Sequence, residues 1–181
     1  MEIKGNAIIL TNGKFDTKSS KTAHGLLRGS RRFNIISVID EEFHGRFVHV
    51  NKHGKIHISK EKSKVPIFKN INSFLKTGIS VKYCIIGVAS AGGKLPDEMR
   101  EDIKISIKNN ISIINGLHSI LNTDKELKNL ADKNNVQIHD IRSSKSRDNL
   151  KFWSGDIYSV KVPKIVVLGT DCGLGKRTTA K

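Results

Sequence analysis

Gly169-Thr170-Asp171-Cys172-Gly173-Leu174-Gly175-Lys176-Arg177-Thr178 is the stretch of this sequence best equipped for chemistry. It follows a short apolar run, Lys164 to Leu168, that reads as a strand. A glycine-rich turn between strand and helix lets backbone N–H groups curl around phosphate oxygens. A lysine after it reaches the terminal phosphates. The stretch departs from the common phosphate-loop pattern in two ways. Thr170 stands where the pattern has its first glycine, which here lies one place earlier, at Gly169. Arg177 follows Lys176, so the hydroxyl that usually holds magnesium arrives one place late, at Thr178. The displaced hydroxyl weakens the case for magnesium and hydrolysis more than the case for phosphate binding. Cys172 lies within the loop, where a lysine and a helix dipole lower a thiol pKa, but a nucleophilic role for it is not expected.

A second anion site is expected at Ser90-Ala91-Gly92-Gly93-Lys94. This turn also follows a strand and precedes a helix, and open α/β sheets bind ligands at that edge. Ser90, Gly92 and Gly93 would shape the turn, and Lys94 would supply the counter-charge. His118 follows Gly116-Leu117 at another strand end and is a candidate base. Arg142, after the strand 136–141, is a candidate partner for a carboxylate. His118, Lys94 and Arg142 are therefore the candidate catalytic residues, set against the plainer readings of a helix-start histidine, a turn lysine and a surface ion pair. Asp40, at the end of another strand, reads first as a turn residue and second as a ribose acceptor. No G-x-G-x-x-G occurs, so a dinucleotide fingerprint is absent.

His49, His53 and His57 have the spacing of one helical face, which suggests a metal. Gly54 and the alternation of Val48, Val50, Ile56 and Ile58 indicate a β-hairpin instead. With a turn at residues 51–54, His49 would face Ile56 and His57 would face Val48. The histidines would then diverge, so no metal site is predicted. Cys84 and Cys172 are the two cysteines, in unlike contexts, and no disulfide framework is expected.

The elements that must position these groups are legible along the chain. Ala7 to Leu10 reads as a buried strand ending at Asn12-Gly13. A helix capped by Ser19 or Ser20 buries Ala23, Leu26 and Leu27 and ends at Gly29. Residues 34–40, 81–89, 111–114 and 136–141 read as further strands. Ile71, Phe74 and Leu75 belong to a helix. So do Met99, Ile103 and Ile107, behind Pro96, Asp97 and Glu98 in the first turn. Thr123 and Glu126 have capping-box spacing before Leu127, Leu130 and Ala131. Strand and helix alternate, which predicts an α/β domain with a mostly parallel sheet. Residues 143–156 are polar and read as a linker that packs through Phe152 and Trp153.

The chain has 181 residues and a formal net charge of +15. Only 8 of its 32 basic residues are arginines, and no aromatic and basic residues interleave. Both facts argue against a nucleic-acid partner, while the basic field favours anionic ligands such as nucleotides or acidic metabolites. No apolar run approaches the ~18 residues of a membrane span, and the N-terminus lacks a signal-peptide pattern. A cytoplasmic protein without membrane partners is expected. A homo-oligomer is left open.

KTAHGLLRGS, YCIIGVASAGGKLPDEMREDI, IINGLHSIL, FWSGDI and VLGTDCGLGKRTTA occur in this order. Together they resemble the DgcN-like proteins, the D-glutamate N-acetyltransferase family, formerly catalogued as a domain of unknown function. The resemblance implies a Rossmann-like domain over residues 1–150, a linker over 151–163 and the start of a P-loop domain over 164–181. That P-loop domain is similar to dethiobiotin synthetase, which shares the Gly-Thr-Asp turn with an extra residue before Gly-Lys. Arg177 after the lysine follows the DgcN-like pattern. The activity implied is acetyl transfer from acetyl-CoA to the amine of an acidic amino acid. Such a reaction needs a cradle for the CoA phosphates, and residues 169–178 fit it by their own loop chemistry rather than through the resemblance. The alternatives are an ATP- and magnesium-dependent ligase or kinase like dethiobiotin synthetase, or a non-catalytic nucleotide- or CoA-binding module. From Gly175 there is room for less than two helical turns. The loop is therefore expected to open a longer domain, and the fragment is expected to bind CoA or nucleotide weakly and to be inactive alone.

Overall fold

A computed structural model describes residues 3–143, 152–170 and 176–180. The chain divides into two compact units, Met1–Ser143 and Ser144–Lys181. The first unit contains the strands β1 (Gly5–Leu10), β2 (Phe33–Ile39), β3 (Phe47–Val50), β4 (Ile56–Ser59), β5 (Val65–Phe68), β6 (Tyr83–Ile86), β7 (Ser112–Asn115) and β8 (Ile138–Asp140). They form one sheet in the order β4-β3-β5-β2-β1-β6-β7-β8. From β5 to β8 every neighbouring pair is parallel. β3 runs antiparallel to both β4 and β5. The helices are α1 (Lys21–Arg28), α2 (Ile71–Leu75), α3 (Glu98–Lys108) and α4 (Lys125–Lys133).

Both faces of the parallel sheet are covered, which is why its central strands are continuous apolar runs. Successive residues of β1 point to opposite faces. Ile8 and Leu10 pack with Cys84, Ile86 and Ile113 against Met99, Ile103 and Ile107 of α3. Ile9 packs with Val38, Ile67 and Phe15 against Ala23 of α1. Burying each of these large side chains contributes about 1.5–3 kcal/mol, so the two layers hold the strand ends in fixed relative positions.

The expected α/β architecture with a mostly parallel sheet is observed. α1 starts after Ser20 and stops at Gly29, whose φ of 149° suits glycine. Met99, Ile103 and Ile107 are fully buried, as their spacing predicted. α4 differs at its start. Its N-cap is Asp124, whose carboxylate accepts from the backbone N–H groups of Glu126 and Leu127, while Thr123 closes a preceding 3-10 turn.

Three other expectations are corrected. In the hairpin, His49 pairs directly with His57, and Val48 with Ile58. The turn is one residue longer than the sequence suggested. Asn51 Oδ1 accepts from both His53 N and Lys55 N, which draws Lys55 into the turn. A one-residue slip exchanges the faces of a strand, so His49 and His57 lie side by side. Strand β5 was not foreseen, because Pro66 in a four-residue run argues against a strand. Residues 164–168 form no strand. Ile165 is 89% exposed and Leu168 83% exposed, and no described strand pairs with them.

The second unit has a 3-10 turn at Asp156–Ser159 and a short helix, α5 (Lys176–Thr179). Phe152 is 99% exposed and Trp153 74% exposed. Within this unit Trp153 meets Tyr158 edge-on, with ring centroids 6.1 Å apart.

Candidate functional site

In open α/β sheets ligands bind beyond the carboxyl ends of the strands, where the strand order reverses. Here the reversal falls between β1 and β6, and the chain itself closes that crevice. Ala23 N donates to Gly87 O at 3.0 Å, and Ala89 N donates to Ser19 O at 2.7 Å. A Cβ on Gly87 would stand 2.4 Å from Ile9 Cγ2 and 3.0 Å from the Ala23 methyl. Glycine is what lets α1 lie so close to the end of β6.

The open cleft lies one strand over, between the loops that follow β6 and β7. It measures about 330 Å³, and its lining includes Ser90, Gly92, Gly93, Gly116, His118 and Arg142. Two sequence candidates, His118 and Arg142, thus meet the glycine-rich turn in one place. Lys94 parts from them, being exposed and lining the adjoining cleft beside Arg100 and Asp124. The turn itself is drawn in by a hydrogen bond from the Ser90 hydroxyl to the Lys94 carbonyl. Gly93 has φ +66°, and a Cβ there would stand 2.3 Å from His118 Cδ2. The imidazole rests on bare backbone, and Ser119 N donates to Gly93 O at 3.0 Å.

Arg142 Nε donates to Gly116 O at 2.8 Å, and its Nη1 lies 3.1 Å from His118 Nε2. Arginine has only donors, so His118 Nε2 accepts and the ring proton of the neutral imidazole sits on Nδ1. Nη2 of Arg142 has no partner among the described residues.

The loop carrying His118 is tied around one carboxylate. Asp140 Oδ1 accepts from Asn115 Nδ2 at 2.7 Å and from Leu121 N at 3.0 Å. Its Oδ2 accepts from Asn122 N at 3.0 Å and Asn122 Nδ2 at 2.7 Å. Asn115 also donates to Ser119 O and accepts from Leu117 N. Burial pushes the Asp140 pKa up, but the hydrogen bonds from Asn115, Asn122 and Leu121 outweigh it and hold the group below its ordinary value. Sequence reasoning did not single out Asn115, Asn122 or Asp140. The signal was present, since Asp140 ends a strand as Asp40 does.

Asp40 is itself fully buried and accepts from Thr11 Oγ1, Phe15 N, Glu42 N and Phe43 N. It fastens the loops after β1 and β2, which is the turn role, and has no oxygen left for a ribose. Among the described residues no group of three or more His, Cys, Asp or Glu is placed to hold a metal. Of the expected phosphate loop, residues 171–175 lie outside the described residues. Gly169 and Thr170 lie in non-helical chain, and Lys176 opens α5.

A family model described as a Rossmann-like domain of unknown function, DUF1611_N, matches residues 49–144. The chain belongs to this family. The match spans β4 to β8 and every residue of the β6–β7 cleft. Two curated relatives of this DUF1611_N chain are named D-glutamate N-acetyltransferase. One, from Pseudoalteromonas sp, is 32% identical over 102 residues, 56% of this chain and 30% of the relative. The other, from Tritonibacter scottomollicae, is 27% identical over 99 residues, 55% of this chain and 28% of the relative. The matched region therefore spans under a third of these relatives. A crystal structure of a DUF1611 family protein from Anabaena variabilis aligns over 97% of this chain and 47% of its own, with a TM-score of 0.77 and 27% identity. No described helix is long and apolar enough to cross a membrane.

Proposed function

We propose that this chain serves an N-acetyltransferase that moves acetyl from acetyl-CoA to the amine of an acidic amino acid such as D-glutamate, and that the β6–β7 cleft receives the amino-acid carboxylate. The observation that carries the reading is the Arg142–His118 pair at the cleft, with Arg142 fixed by Gly116 O and Nη2 facing no described partner. The relatives' names support the choice of reaction class.

A guanidinium with two available edge donors suits a carboxylate in bidentate geometry. A carboxylate taking Nη1 and Nη2 would draw Nη1 from His118 and free the Nε2 lone pair. Nε2 then accepts a proton from the substrate ammonium. The neutral amine attacks the thioester carbonyl, the C–N bond forms, the C–S bond breaks, and the CoA thiolate leaves and takes up a proton. In this reading residues 169–178 cradle the CoA phosphates, and the chain works in the cytoplasm.

The test is titration of D-glutamate into the chain and into Arg142→Gln, with His118 followed by NMR. Saturable binding that shifts the His118 ring resonances and weakens about tenfold in the variant is expected, the equivalent of one charge-assisted hydrogen bond. In a thermal-shift comparison acetyl-CoA should stabilise the protein by a small shift, in keeping with the weak binding expected of this chain. Stabilisation by magnesium-ATP but not by acetyl-CoA would overturn the reading in favour of a ligase or kinase.

A further inference from the structure

A second cleft, of about 360 Å³, opens on the α1 face of the sheet, between α1, the loops after β1 and β2, and the β3–β4 hairpin. Its floor has apolar surface from the half-buried Phe43, Ile56 and Ile58, which pack against the core cluster that includes the fully buried Phe15. Its rim is cationic, with Arg28, Arg46 and Lys55 all exposed. Asp16 is the one acid in the lining.

The walls are built rather than incidental. Arg28 Nε donates to Gly54 O at 2.8 Å, which fastens the hairpin turn to the end of α1. The Arg46 guanidinium lies over the Phe43 ring, 5.7 Å from its centroid. His24 Nε2 is bonded to Phe15 O at 2.8 Å, and its ring meets Phe15 edge-on.

Three cations face the single acid Asp16, and none of the four is ion-paired among the described residues. On the other face Arg100 and Lys104 are neutralised by Asp124, Glu126 and Glu101. Three cations around an apolar floor suit an anion with a flat apolar body. A bare phosphate would leave the floor exposed, and a neutral ring would leave the cations unpaired.

We propose that this cleft binds a nucleoside diphosphate, its base against Ile56, Ile58 and the edge of Phe43 and its phosphates against Arg28, Arg46 and Lys55. The site is separate from the β6–β7 cleft and does not rest on acetyl transfer. A free adenine nucleotide and the adenosine end of CoA share this chemistry.

The test is calorimetry on the chain carrying Lys176→Ala, so that the glycine–lysine stretch does not contribute. ADP is expected to bind saturably and more tightly than pyrophosphate or adenosine. Lys55→Gln changes an exposed side chain and should leave thermal stability unchanged, while Arg46→Gln also removes the contact with the Phe43 ring and should lower it only slightly. Each should weaken ADP binding about tenfold, as loss of one charge-assisted hydrogen bond does. Arg142→Gln, in the other cleft, should not alter it. Displacement of ADP by CoA would identify the coenzyme end as the occupant, here instead of at residues 169–178, and failure to displace would identify the free nucleotide. No saturable ADP binding, ADP no tighter than pyrophosphate, or affinity indifferent to both rim variants would each overturn the proposal.

Discussion

His118 lies against Gly93 so closely that a single methyl group at residue 93 would stand 2.3 Å from His118 Cδ2 and 2.7 Å from its Cβ. Gly93 also has φ +66°, a conformation that costs other residues roughly 1–2 kcal/mol. Gly93→Ala therefore combines backbone strain with displacement of the imidazole. Destabilisation of about 2 kcal/mol by urea titration is expected, together with loss of the Arg142–His118 contact in the His118 NMR spectrum. An unperturbed His118 in this variant would show that the close approach does not position the ring.

Asp140 holds the loop after β7 by accepting from four donors. Asp140→Asn turns an amide NH2 toward a backbone N–H, that of Leu121 or of Asn122, which can only donate. Destabilisation of about 1–3 kcal/mol is expected from the unsatisfied donors. The pH dependence has a definite sign. The folded-state pKa lies below the ordinary value, so the stabilisation is complete above the unfolded pKa and is lost as pH falls through the lowered folded value. The wild-type advantage over Asp140→Asn should shrink in acid. An advantage that grows below pH ~4 would contradict this.

Cys84 offers a simpler check. It is fully buried beneath α3, and burial pushes its thiol up to about 12 against the lowering effect of a Ser106 hydrogen bond. The thiolate is the reactive form. In a Cys172→Ser variant, a thiol-specific chromogenic reagent at pH 8 should label Cys84 only after denaturant is added. Rapid stoichiometric labelling of the native protein would place Cys84 nearer the surface.

The sequence was most informative where one physical demand dominated. Met99, Ile103 and Ile107 revealed α3 because a buried helical face needs that spacing. Ser90 to Gly93, His118 and Arg142 were each marked by their places at strand ends, and parallel strands bring those ends to one edge. What stayed hidden depended on tertiary pairing. β5 is held by two neighbours that outweigh its Pro66. The hairpin register turned on one Asn51 side chain. Lys94 left the cleft because the doubled glycine turn carries the chain onward to α3. The Asn115–Asp140 pair links residues 25 apart in sequence, and no local pattern encodes such a contact.

The α3–α4 contact supplies a final prediction. Arg100 grips Asp124 through two hydrogen bonds, at 2.6 and 3.0 Å, and reaches Glu126 at 2.7 Å. The Arg100 hydrogen bond is the main reason the Asp124 carboxyl is held at about 2. Asp102 works in the opposite sense, since burial raises its pKa, so the acid response of the wild type alone mixes two signs. Comparison with Asp124→Asn isolates the pair, because asparagine still caps α4. Near neutral pH the wild type should melt higher by about 2–4 °C, the equivalent of roughly 1 kcal/mol for a partly exposed pair. The difference should persist down to the unfolded pKa near 4 and vanish as pH falls through the folded value of about 2. Calorimetric scans across that range decide the matter. An undiminished difference at the acid end would mean that packing, not charge, fastens α4 to α3.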